Sequence, residues 1–166
     1  MDDQDLLKHA QSGDEQAFQQ LYLRHKNRVY AIALRLTTDI RTAEELTQDC
    51  FVHLWHKLAL FDGRSAFTTW LHRLCINHCL GALRRQRHFW QRFQSAETDI
   101  ATQHAGYQGL DRLVVRLPRQ ARLVFVLHAL EGYQHDEIAV LLNIATGTSK
   151  AQYHRARNLL KEMLND

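Results

Sequence analysis

Apolar side chains recur at three- and four-residue spacing along almost the whole of this chain, and a single proline, Pro118, interrupts it. Stripes with this period belong to helices that bury one side against each other, and no run with the period of two that a strand requires is long enough to defend. The expected fold class is therefore all-α. Ala17, Phe18, Leu21, Tyr22, Val29, Ile32, Ala33 and Leu36 form one long stripe behind a break at Ser12-Gly13-Asp14. Leu46, Cys50, Phe51, Leu54, Trp55 and Leu58 form another, headed by Thr42 and Glu45 at capping-box spacing. Asp62-Gly63 signals a turn and Ser65 a helix start. Phe67 to Arg87 then reads as a helix closing on Arg84, Arg85 and Arg87, where its dipole favours cations.

Residues 91–109 lose the period and gather Ser, Thr, Gln, Gly and Asp, the composition of a flexible linker. From Leu110 the period resumes, with Pro118 at a first helical position and Gly132 as a stop. Two small helical domains are expected, 1–90 and 110–166, joined by the linker 91–109. In the second, HDEIAVLLN (His135 to Asn143), a short IATG break and TSKAQYHRARNLLKEM (Thr148 to Met163) form a helix-turn-helix. Positions 149, 153, 156 and 160 share one face, which leaves Thr148, Lys150, Ala151, Gln152, His154 and Arg155 to meet a major groove and its phosphates. Short amphipathic helix pairs also occur in proteins that never touch DNA, so this pair alone leaves DNA binding open.

Charge is unevenly placed. The formal net charge is only +3, but residues 1–60 hold 9 acidic and 7 basic side chains while residues 61–95 hold 1 acidic and 6 basic. Phe67, Trp70, Phe89, Trp90 and Phe93 are interleaved with that cationic zone. Such a composition suits single-stranded nucleic acid, and it suits equally a solvated helix face over core aromatics. At the spacing of Phe67 and Trp70 the core reading is favoured for Trp70.

The sequence also excludes classes of function. No glycine-rich phosphate loop and no recognisable nucleophile setting is present, so an enzyme is not expected. His72, Cys75 and Cys79 share one predicted helix, with Cys50 and His53 on another, but no CxxC pair or HExxH accompanies them. The cysteines read as small buried hydrophobes, with no metal and no cofactor expected; a metal- or thiol-dependent sensor is the alternative they leave. Three free cysteines, an acidic N-terminus and no long apolar run suggest a cytoplasmic protein without membrane insertion.

Three segments, in order and spacing, carry a resemblance: ELTQDCFVHLW (Glu45 to Trp55), FDGRSAFTTWLHRLCIN (Phe61 to Asn77) and LPRQARLVFVLHALEGYQHDEIAVLLNIATGTSKAQYHRAR (Leu117 to Arg157). Together the chain resembles the extracytoplasmic-function (ECF) sigma factors of the sigma-70 family. The resemblance implies a bacterial RNA polymerase specificity subunit whose partners are core RNA polymerase, promoter DNA and an anti-sigma factor. It places core-polymerase contacts on Leu46, Gln48, Asp49, Phe51, Leu54 and Trp55. Minus-ten promoter contacts fall on Arg64, Ser65, Arg73, Asn77, Arg84, Arg85 and Arg87, and minus-thirty-five contacts on the helix-turn-helix residues named above. The linker, by the same resemblance, threads towards the active centre and RNA exit path of the polymerase. A helix-turn-helix regulator acting without core polymerase remains the second reading, and the Glu45 to Trp55 pattern separates the two.

Within the resemblance Ile76 and Gly81 replace commonly polar residues, Ser149 and Tyr153 replace apolar ones, and Gln152 replaces a basic one. A buried hydroxyl without a partner costs about 1–3 kcal/mol, so Ser149 is expected either to bond back to the preceding turn or to weaken its domain.

Overall fold

The computed structural model describes the backbone of residues 1–93 and 109–166 and the side chains of residues 1–86 and 109–166. All regular structure among them is helical. The chain divides into two compact units, Met1–Ala82 and Leu83–Asp166. The expected linker, 91–109, lies almost wholly outside the described residues. No described helix is long and apolar enough to cross a membrane.

The first unit contains α1 (Asp3–Gln11), α2 (Glu15–Thr37), α3 (Ile40–Lys57), a 3-10 turn (Leu58–Leu60) and the first part of α4 (Phe67–Phe93). Gly13, at φ +98°, turns the chain between α1 and α2 in a conformation that a side chain would strain. Asp14 then caps α2, its carboxylate accepting from the backbone N–H groups of Gln16 and Ala17. His25 and Arg24 of α2 meet the Asp3 carboxylate at 2.8 and 3.2 Å and hold α1 alongside. Leu6, Leu21, Ile32, Leu36, Leu54, Leu71 and Ile76 are fully or almost fully buried, so every helix contributes to one core.

One expected helix start is displaced. Helix α3 begins at Ile40, ahead of the Thr42–Glu45 pair, and the Thr42 hydroxyl donates to the Asp39 carboxylate at 2.6 Å instead of capping the helix. Helix α4 begins at Phe67, as expected, and runs on past Arg87 to Phe93; the first-turn N–H of Trp70 donates to the Ala66 carbonyl, so Ser65 is not its cap. Polar residues near a start signal it without fixing its register, because hydroxyls and carboxylates this close together also satisfy one another.

The second unit contains α5 (Leu110–Val114), α6 (Arg119–Phe125), a π turn continuing it (Val126–Leu130), α7 (His135–Leu142) and α8 (Thr146–Asn165). Pro118 precedes α6 in extended conformation, one residue ahead of the expected position. The Gln134 N–H donates to the Glu137 carboxylate at the start of α7, and Asn143, at φ +55°, ends it. Helix α8 therefore starts two residues before Thr148. Val114, Val124, Leu127, Ile138 and Ala156 form the centre of this unit.

Asp14→Ala is expected to lower the stability of the first unit by about 1 kcal/mol, with Asp14→Asn retaining most of it. Trp55 and Trp70 lie within this unit, so tryptophan fluorescence during urea unfolding measures this change.

Candidate nucleic-acid and partner interfaces

Helix α3 has a buried side and an open side. Ala43, Leu46, Cys50, Phe51 and Leu54 are buried, and Trp55 is half-buried against Phe18 of α2 with ring centroids 4.9 Å apart. Phe51 meets Tyr22 edge to face, also at 4.9 Å. Of the expected partner-contact residues, Leu46, Phe51 and Leu54 therefore belong to the core of this unit, where the helix stripe had to go, and cannot form the outer face. Gln48 and Asp49 are exposed, Asp49 with His78 at 4.0 Å. Val52, 60% exposed, stands beside them and escaped the sequence reading. Its signal was there: an apolar residue one position out of the buried stripe, in a helix whose other apolar positions all keep to it.

The loop between α3 and α4 is built from both ends. At its tip the Asp62 carboxylate accepts from the Arg64 N–H at 3.0 Å and pairs with the Arg64 guanidinium at 3.1 Å, and Gly63 takes the left-handed conformation at φ +81°. At its base the Gln11 amide of α1 donates to the Leu58 and Phe61 carbonyls. Phe61 packs on Trp70 at 5.0 Å and on Phe67 at 6.1 Å, which anchors the loop to α4. Arg64 and Ser65 are left exposed. A cavity of about 300 Å³ opens between α1 and this loop, with Lys8, Gln11, Phe61 and Ser65 in its wall.

A second cavity, of about 510 Å³, lies over α4 and is lined by Trp70, Arg73 and Asn77 together with His53, Lys57 and Leu60. Trp70 is only half-buried. The core reading favoured for it holds for Phe67, which is 7% exposed, and not for Trp70. Arg73 and Asn77, one helical turn apart, are both exposed. Arg84 and Arg85 are exposed further along the same helix, and the side chain of Arg87 lies outside the described residues. Burial holds the His72 imidazole below its ordinary pKa, helped by the charges of Arg28 and His25.

In the second unit, Thr148, Lys150, Ala151, His154 and Arg155 all face solvent on the first half of α8. Its first turn carries no acidic residue and its start no side-chain cap, so the positive end of the helix dipole is open to phosphate. Gln152 departs from the expected set. It is half-buried, and its Oε1 is sequestered without a hydrogen-bond partner among the described residues, so it leans toward the core side of α8.

Ser149 is fully buried, and its hydroxyl meets His135 Nδ1 of α7 at 2.8 Å. It bonds neither to the preceding turn nor to nothing, the two outcomes expected from sequence. Tyr153 sits among rings: Phe125 at 6.1 Å, His128 at 4.6 Å and His135 at 5.7 Å. The two imidazoles stack at 4.1 Å, and His128 Nδ1 donates to the Tyr133 carbonyl at 2.8 Å. Partial burial, with His128 and Lys150 nearby, holds His135 below its ordinary pKa.

Comparison with known proteins gives one consistent answer. Residues 21–89 match the sigma-70 region 2 family and residues 107–160 the sigma-70 region 4 family. The ECF RNA polymerase sigma factor SigM of Mycobacterium tuberculosis is 30% identical over 98% of this chain and 84% of its own. SigW of Bacillus subtilis, another ECF sigma factor, is 25% identical over 96% of this chain and 95% of its own. Among solved structures, the sigma factor RpoE of Bartonella quintana, crystallised with the anti-sigma factor NepR, superposes with a TM-score of 0.64 at 25% identity, covering 89% of this chain and 96% of its own. CnrH, solved with the cytosolic domain of CnrY, superposes with a TM-score of 0.59 at 27% identity, covering 98% and 97%.

Two measurements test this geometry. Leu54→Ala is expected to destabilise the first unit by about 2–5 kcal/mol, whereas Val52→Ala changes its stability by no more than about 0.5 kcal/mol; urea unfolding followed by tryptophan fluorescence distinguishes them. For His135, the unfolded chain binds a proton more readily than the folded one, so its contribution is complete above the ordinary imidazole pKa and is lost as pH falls below it. The urea midpoint of α8, read from its amide NMR signals, is expected to fall between about pH 7.5 and about pH 5.5, with His135→Gln flattening the dependence. His72 acts with the same sign in the first unit, which is why the readout is confined to α8.

Proposed function

The chain belongs to the ECF sigma factors of the sigma-70 family, and from that premise we propose how its surfaces divide the work of promoter recognition. As a sigma factor it associates with core RNA polymerase and directs it to promoter DNA. Its task is one of binding and strand separation, carried out in the cytoplasm, without chemistry of its own. The domains proposed for this are 1–90 and 110–166, with 91–109 between them.

The observation that carries the reading is the open side of α3. Gln48, Asp49 and Val52 present an amide, an acid and an apolar side chain on consecutive turns, while the opposite side of the helix is buried. That mixture suits a partner helix. A helix-turn-helix regulator acting alone has no use for it. These three residues, with the half-buried Trp55 at the edge, are the proposed contact with core polymerase; Leu46, Phe51 and Leu54 position them from behind.

Minus-ten recognition is assigned to the Asp62–Ser65 tip and the exposed side of α4. Arg64, Arg73, Arg84, Arg85 and Arg87 supply cations to a phosphate track, Asn77 offers an amide to a base edge, and Trp70 a ring beside a cavity. Minus-thirty-five recognition is assigned to Thr148, Lys150, Ala151, His154 and Arg155 at the start of α8. Gln152, turned inward, is left out of that set. CnrH was solved with the cytosolic domain of CnrY and RpoE with the anti-sigma factor NepR, which supports an anti-sigma partner for this chain too.

Promoter-specific run-off transcription with purified core enzyme tests the whole reading. Asp49→Arg is expected to weaken association with core by about ten-fold or more without unfolding the chain, and transcripts fall with it. Binding of duplex promoter DNA with no transcripts in the presence of core would sink the proposal.

A further inference from the structure

Cys50, Cys75 and Cys79 are the only cysteines in the chain, and the fold gathers all three. Cys50 comes from α3, while Cys75 and Cys79 come from consecutive turns of α4; all are fully buried and free. Their sulfurs lie within 4.8 Å of one another, with Cys75 and Cys79 at 4.0 Å. The Cys75 thiol also points toward the Val29 carbonyl of α2 at 3.9 Å.

A disulfide between Cys75 and Cys79 does not suit the helix. Residues one turn apart on a helix hold their Cβ atoms about 5–6 Å from each other, whereas a disulfide needs about 3.8 Å. Closing Cys75 onto Cys79 would unwind α4. A single pyramidal centre bonded to three sulfurs at about 2.3 Å, the length of a zinc thiolate bond, instead places them about 3.5 Å apart. The three sulfurs already lie within 4.8 Å of one another, so reaching that triangle asks for closures of about 1 Å.

Charge selects the centre. Among the described residues no carboxylate or imidazole joins the three sulfurs as a fourth ligand, and all three are buried in the apolar core. Three thiolates around a monovalent or divalent cation leave net negative charge in this core, at a cost of several kcal/mol. A trivalent centre leaves none.

We propose that Cys50, Cys75 and Cys79 form a three-thiol site for a trivalent, thiophilic centre of the arsenous acid type. Binding is a condensation. Three S–H and three As–O bonds break and three As–S bonds form; the thiol protons leave with the three hydroxyls as water. Oxidation states are unchanged, and the neutral product stays in the apolar core. The filled site ties α3 to α4, and entry requires those helices to part.

The test is anaerobic titration of the reduced, full-length chain with arsenite, followed by native mass spectrometry and counting of alkylatable thiols. One arsenic per chain, simultaneous protection of all three thiols and a raised melting temperature of the first unit are expected. Cys50→Ala and Cys79→Ala each weaken uptake by about a hundred-fold or more, since one arm of the chelate is gone. The thiol count on the native chain decides the matter even if a variant does not fold. No uptake, protection of only two thiols, or retention of zinc on the three cysteines in preference to arsenite overturns the proposal. None of these readouts involves polymerase or DNA, so they leave the promoter-recognition reading untouched.

Discussion

Burial of one side of α3 governs what the first unit can present to a partner. Leu46, Cys50 and Leu54 fall on the inner side at helical spacing, and Phe51 and Trp55 lock against Tyr22 and Phe18 of α2. With that side committed, the helix has no rotational freedom left: Gln48, Asp49 and Val52 must point outward. The same packing leads into the turn at Leu58, whose carbonyl Gln11 holds, and so into the loop that carries Arg64. One buried stripe thus places both proposed contact surfaces at once. Apolar burial here acts as positioning, and a change in the core would be felt at both surfaces without touching either.

Much of the fold was legible because the 3.6-residue period survives in every helix. The residues that broke sequence reasoning did so where two chemistries compete for one position. Thr42 and Glu45 have the spacing of a cap, yet Asp39 lies closer and takes the hydroxyl. Leu46, Phe51 and Leu54 resemble partner contacts by family pattern, and they are core by geometry, because an amphipathic helix cannot spend the same leucine on both. Val52 was missed for the converse reason. Sequence gives the direction of the apolar stripe, but only packing decides which side of it is closed, and an isolated valine next to a stripe is ambiguous until that is known.

The second unit solves a different problem. Its recognition helix carries a serine and a tyrosine where apolar residues would make a simpler seam, and each is accommodated by a histidine. Ser149 finds His135, and Tyr153 finds the stacked pair of His128 and His135. This contact could not be read from local sequence, since 14 residues separate the hydroxyl from its imidazole. A buried polar network fixes geometry more narrowly than apolar side chains of similar size, because its members must align as well as fit. The network therefore ties α7 to α8 across the helix-turn-helix.

That precision has a chemical consequence for the surface above it. His135 lies on the inner side of the seam and Lys150 on the outer side, close enough for the lysine to oppose imidazole protonation. The coupling runs both ways. A phosphate that neutralises Lys150 removes part of what keeps His135 uncharged, and a protonated His135 adds positive charge behind the same helix start. Mild acid therefore acts on this unit in two opposed directions. It loosens the Ser149–His135 contact that ties α7 to α8 while strengthening the field that α8 presents to phosphate, and that field is screened within about 8 Å at physiological ionic strength. Raising the ionic strength therefore weakens the second effect and leaves the hydrogen bond to the buried Ser149 hydroxyl as the route by which mild acid acts on this unit.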